Sequence, residues 1–231
     1  MKRFGSLMVV MLVLATAFAG ARTPASGQGA GLVSSVLNRM ERNRQSLKSL
    51  RSGISMEKYN SQLRDSEKFN GVVSYLPGSG RAASVRIEWR SPQHEILTVT
   101  NGKFVLFRPR LNMAYVGDSR SKNNKAGGVM DMIYMSRQQL ESRFQPVQDV
   151  REETLWGNVS TIHLTLVPKG NASFKYAEIW IDLGGMPVQT KIVEKNDDST
   201  TMRLTGLERN IKINSDDFNI KLDGDVKVVK S

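Results

Sequence analysis

The sequence predicts an α+β chain that is mainly β, an antiparallel sheet with one long N-terminal helix and a short helical insertion near the middle. Three observations predict it. Val85, Ile87 and Trp89 alternate strictly with Arg86, Glu88 and Arg90, the period of a half-buried strand. Asn101-Gly102 lies between the apolar runs from Ile96 and from Lys103 to Phe107, and both turn positions accept positive φ, so the pair closes a hairpin. Leu32, Val33, Val36, Leu37 and Met40 recur at helical spacing, with Asn38, Arg39, Glu41 and Arg42 on the other face.

The elements follow in order. Residues 22–31 are small and polar with one Pro, a flexible lead-in. The helical pattern from Leu32 extends to Leu47 and Leu50. Strands are expected over Gly53–Tyr59, Gly71–Leu76 and the Val85–Trp89 segment, with Pro77-Gly78-Ser79-Gly80 as a turn and Pro92 ending the third strand. Ser119–Gly128 is a polar loop, and Ser136 caps a short helix over Arg137–Phe144. After Pro146 strands resume at Ile162–Val167, Tyr176–Leu183, Val188–Glu194 and Thr200–Leu204, and a last extended piece carries Phe218, Ile220 and Leu222. The expected total is about nine to eleven strands joined mostly by short turns. Nothing repeats at a fixed period.

The first residues speak to compartment. Lys2 and Arg3 precede an apolar run from Leu7 to Phe18, and Ala17-Phe18-Ala19 and Ala19-Gly20-Ala21 offer small residues for a signal peptidase. Residues 1–21 therefore read as a cleaved export signal, and 22–231 as a single domain in the periplasm. The chain has no Cys, so it cannot carry a lipid-anchoring Cys after the signal and holds itself together by burial alone. Its net charge of +11 would suggest nucleic acid inside a cell. On an exported chain it suits anionic lipid head groups or acidic partners, and no nucleic acid is expected.

A search for chemistry finds no catalytic constellation. The two histidines, His94 and His163, are not spaced to share a metal with another ligand, and both read as surface residues. There is no nucleophile elbow and no phosphate-cradling Gly loop. Asp197-Asp198 and Asp216-Asp217 sit beside Ser or Asn and read as turn residues. An enzyme is not expected, nor a cofactor or metal. What remains is a surplus of soft apolar groups, including Met130, Met132 and Ile133 beside a polar loop. Methionine suits a cavity that must accept variable alkyl chains.

Several residues together resemble the periplasmic outer-membrane lipoprotein carriers, the LolA family. They are Arg81, the Val85/Ile87/Trp89 strand, Pro92, Ile96-Leu97, Asn101-Gly102-Lys103 and Phe107-Arg108-Pro109, then Leu164 to Lys169, Ile179–Leu183, Pro187-Val188 and Asp216-Asp217-Phe218. The resemblance implies an incomplete antiparallel barrel, a half-barrel covered by a helical lid. It implies a monomeric carrier that shields lipoprotein acyl chains in a hydrophobic cavity and passes them from inner to outer membrane. An inner-membrane ABC transporter would load it and an outer-membrane acceptor unload it. The expected cavity residues are Val85, Ile87, Trp89, Leu97, Val99, Phe104, Leu106, Met130, Met132 and Ile133. Arg81 matches the family's lid latch, although Ala82 stands where the family has Pro. Two alternatives share the scaffold: an envelope-stress sensor that binds mislocalised lipoproteins, and a carrier of another lipid or glycolipid.

Overall fold

The structure is a computed structural model and describes residues 26–78, 83–119, 134–147 and 149–230. Within them one sheet of twelve strands dominates, with two helices. Strands β1 (Leu50–Asn60), β2 (Asp65–Leu76), β3 (Ser84–Ser91), β4 (Glu95–Thr100), β5 (Lys103–Arg108) and β6 (Met113–Asp118) form the first half. Strands β7 (Val150–Leu155), β8 (Val159–Leu166), β9 (Phe174–Asp182), β10 (Pro187–Glu194) and β11 (Ser199–Arg209) form the second, and β12 (Lys227–Lys230) follows. The strand order is β12-β6-β5-β4-β3-β2-β1-β11-β10-β9-β8-β7. Each half is thus a meander of hairpins, and the halves join where β11 pairs with β1, from Leu50↔Arg209 to Tyr59↔Ser199.

Register shifts bend this open, curled sheet. They occur between Arg51 and Gly53 against β11, between Asn70 and Gly71 against β3, and at Pro187/Gln189 in β10. An extra residue on one strand raises local twist and curls the sheet toward one face. At Gly71 the strands approach so closely that a Cβ would lie 2.2 Å from the Glu88 carbonyl oxygen. Only glycine fits there.

Helix α1 (Ser26–Ser46) buries Val36, Leu37 and Met40 on one face. Those residues join Ile162, Leu164 and Leu166 of β8 and Ala177, Ile179 and Ile181 of β9 in one apolar cluster. The helix is seated on the β9–β10 turn at Gly185, whose φ is +89° and whose Cβ would fall 2.4 Å from the Arg39 carbonyl group. Helix α2 (Arg137–Arg143) begins with a reciprocal capping box between Ser136 and Gln139 and contributes Leu140 to the same cluster. A second cluster centres on Leu50, Ile54, Val73, Ile87, Met202 and Leu204. It fills the bend where β1, β2, β3 and β11 meet.

Several expectations need correction. The strand count is twelve among the described residues, because β6, β7 and β12 were not expected. Edge strand β7 is mostly charged and polar, so it lacked an apolar signal. Helix α1 ends at Ser46, and Leu50 opens β1. The Phe218 segment is not a strand: Ser215–Phe218 forms a 3-10 turn capped by the Asn214 side chain. The sheet is also not wholly antiparallel, since β12 pairs in parallel with β6. The chain leaves β11, lays its buried Phe218 against β3 and β4, and returns at the far edge.

Candidate functional site

The seven expected cavity residues among the described ones share one face of the sheet. Register fixes this, because side chains alternate along a strand while directly paired residues point the same way. One row runs Val73↔Ile87↔Leu97↔Leu106↔Tyr115 across β2 to β6. The next runs Tyr75↔Val85↔Val99↔Phe104↔Gly117. Trp89 lies on the same face, opposite Gly71. Sequence alternation could not say which face of the β4–β5 hairpin turns inward, and pairing settles it: Leu97, Val99, Phe104 and Leu106 do.

Burial grades along these rows. Val73, Ile87, Trp89 and Leu97 are buried. Val85, Val99, Phe104, Leu106 and Tyr115 are only half-buried, and Val85, Phe104 and Leu106 pack against the edge of the buried cluster. The apolar face is therefore sealed near β1 and open toward β6.

Aromatic contacts mark both ends of the rows. Phe69 meets Trp89 edge-on, with ring centroids 5.8 Å apart, and the Lys58 ammonium sits 4.7 Å from the Phe69 ring centre. Tyr134, which leads toward α2, lies flat on Tyr75 at 3.7 Å. Its hydroxyl is enclosed without a hydrogen-bond partner, and burial pushes its pKa well above that of an ordinary phenol. Burial also raises Tyr75. Neither ring ionises at physiological pH, so both serve as apolar plates. At the far side Arg108 pairs with Glu95 at 2.8 Å and lies over the Tyr115 ring. Tyr75, Tyr115, Phe69 and Tyr134 were not expected here. The Val73/Tyr75 alternation was the signal that could have found the first of them.

One carboxylate ties the two helices together. Glu41 of α1 accepts from Arg44 Nη2 at 2.6 Å and from the Arg137 backbone N–H at 3.2 Å. The Arg44 guanidinium, helped by that N–H, outweighs burial and holds the Glu41 carboxyl down at about 2. Arg137 also donates to Asn38 and to Glu141. Met130, Met132, Ile133 and Arg81 lie outside the described residues.

Other polar features lie elsewhere. On the opposite face Arg51, Arg86, Arg90, Asp216 and Asp217 line a groove of about 420 Å³, whose mixed charges do not suit an alkyl chain. His163 is not a surface residue, as was expected, but 1 % exposed. It stacks on Trp180 at 4.1 Å, with Nδ1 3.0 Å from Glu153 and Nε2 3.2 Å from Glu178. Neighbouring strands supply all three partners, which one strand's pattern does not reveal. Among the described residues no group of three or more His, Asp and Glu side chains could hold a metal ion. No helix there is long and apolar enough to cross a membrane.

Comparisons with known proteins fit this geometry. A Thermus thermophilus protein described as an uncharacterized conserved protein is similar in structure, with a TM-score of 0.53, 14 % identity, and coverage of 87 % of this chain and 99 % of that one. The Pseudomonas aeruginosa MucA/MucB complex contains a chain matched with a TM-score of 0.51 and 14 % identity, over 81 % of this chain and 60 % of that chain. At such identities the likeness shows the fold alone. No curated protein matches the chain in sequence. The family described as outer membrane lipoprotein carrier protein LolA matches residues 67–221, a span that contains both apolar rows, and the chain belongs to that family.

Proposed function

We propose that this protein binds the acyl chains of a lipoprotein on the inner face of β2–β6 and carries them across the periplasm, from inner to outer membrane. The observation that supports it most is the graded burial of the two apolar rows. A sheet face built only as core would close over Phe104, Leu106 and Tyr115, yet these stay half-buried. A run of apolar side chains left only partly covered in this way suits a binding surface.

The physics suits a carrier. Each methylene taken out of water contributes about 0.8 kcal/mol, so a few turns of alkyl chain on these rows give useful affinity. Incomplete enclosure keeps the cargo releasable. Helices α1 and α2, joined by Glu41, rest on the neighbouring β8–β9 half, Tyr134 reaches from there onto Tyr75, and in this reading they move as the lid, with Arg81 as its further latch. Met130, Met132 and Ile133 complete the cavity. Residues 1–21 direct export and are removed, leaving one monomeric domain over 22–231. An ABC transporter loads it and an outer-membrane acceptor empties it. The protein binds and does not catalyse, and it needs no cofactor.

The test is native mass spectrometry of protein recovered from its own periplasm, together with binding of a fluorescent fatty-acyl probe to the delipidated chain. A co-purified acylated mass, and probe binding that a Leu106→Asp variant weakens, are expected. No lipid mass and no probe binding would overturn the reading. Capture of a single-span anti-sigma protein in place of a transporter would reassign the chain to stress sensing.

A further inference from the structure

Two hairpin turns stand at the end of the sheet where β1 begins. The β7–β8 turn presents Trp156, 85 % exposed, and the β9–β10 turn presents Leu183, 60 % exposed. Leu155 pairs with Val159, and Thr161 with Asp182, so both turns leave the sheet at the same end. Each of these apolar residues has a guanidinium fixed to its own carbonyl oxygen. Arg203 Nη2 donates to the Trp156 carbonyl, and Arg39 Nη1 donates to the Leu183 carbonyl at 3.2 Å. Two different elements, β11 and α1, thus deliver the same pairing of an exposed apolar side chain with an adjacent cation. The nearby Asp182 carboxylate is already neutralised by Arg209 at 2.6 Å.

We propose that this end of the sheet docks on an anionic lipid bilayer, with Trp156 and Leu183 entering the head-group region and Arg203 and Arg39 facing lipid phosphates. Tryptophan favours that interface because its ring is apolar while its N–H stays hydrated. Arginine keeps donors free after one bond to a carbonyl, and phosphate geometry matches them. Without Lys2 and Arg3 the chain keeps 31 basic against 22 acidic residues, a net charge of +9 that complements a negative surface. At the opposite end Leu63 and Leu111 are 76 % and 59 % exposed, but among the described residues neither carbonyl oxygen holds a guanidinium as those of Trp156 and Leu183 do. The docking holds whatever the sheet's inner face carries.

The experiment uses the mature chain and two vesicle types, one of pure phosphatidylcholine and one with about a third phosphatidylglycerol. Trp89 lies on the face proposed for acyl chains, so the readout uses a Trp89→Phe chain; Trp180 is buried, and a blue shift of tryptophan emission and quenching by brominated lipid then report on Trp156. We expect binding and a blue shift with the anionic vesicles, weakening as salt rises. Arg39→Gln and Arg203→Gln should each weaken binding about fivefold. Trp156→Ser with Leu183→Ser should abolish sedimentation with vesicles, while Leu63→Ser leaves it unchanged. Trp156 is surface-exposed, so the variants should keep their circular dichroism. Absence of any shift with anionic vesicles would overturn the proposal. So would equal loss in Leu63→Ser, or protection of Trp156 by a protein partner when vesicles have no effect. Loss of acyl-probe binding without loss of vesicle binding would count against the carrier reading alone.

Discussion

The inner face of the sheet is used in two ways by its two halves. Over β8 and β9 it is covered by α1 and α2, and Leu164, Leu166, Ala177 and Ile179 have almost no exposed surface. Over β4 to β6 the same face carries equally apolar side chains, yet Val99, Phe104, Leu106 and Tyr115 stay half-buried. Composition does not separate the halves. What separates them is where the helix rests: Gly185 seats α1 over the second half. One half is core. The other has core chemistry without a complete cover, which is the condition for holding a ligand that must leave again.

Truncation tests this contrast most sharply. Leu164→Ala should cost about 3 kcal/mol of stability in urea denaturation, because a closed cluster cannot collapse around the cavity. Gly185→Ala should cost about 2 kcal/mol, since the added Cβ meets the Arg39 backbone and the turn needs a positive φ. If circular dichroism then shows α1 intact but detached, the seat is what closes the second half. Glu41→Gln should cost about 1 kcal/mol by weakening the tie between the helices. The pH dependence has a definite sign. Glu41 is held below its ordinary value of 4.5, at about 2, so its contribution is complete above pH 4.5 and is lost as pH falls through about 2. Urea midpoints at descending pH should therefore drop in the native chain and less in Glu41→Gln. Leu106→Ala should cost the least stability, under about 1 kcal/mol, but weaken a bound acyl probe about fivefold. A stability loss as large as that of Leu164→Ala would mean that the halves do not differ.

Much of this was legible in the residues. The strict alternation of Val85, Ile87 and Trp89, the Asn101-Gly102 turn with φ of +50° and +76°, and the Ser136 cap are local signals, and each stands where local chemistry puts it. What failed was non-local. His163 alternates with apolar neighbours as a surface residue would, and only the pairing of β8 with β7 and β9 brings Glu153, Glu178 and Trp180 around it. Strand β7 is too charged to announce itself, and β12 is a strand because β6 offers it an edge. The face chosen by the β4–β5 hairpin likewise follows from register, which no single strand encodes.

The parallel docking of β12 has a consequence for the life of the chain. An open sheet has two borders, and unpaired borders recruit stray peptides into fibrils. Lys227–Lys230 occupies one of them, so the molecule shields that border with a segment of its own. A proteolytic nick ahead of Lys227 would leave the rest of the sheet its own pairings but uncover the amide ladder of β6 to any extended neighbour. Self-association of the clipped product, with its concave face intact, is how that loss would announce itself.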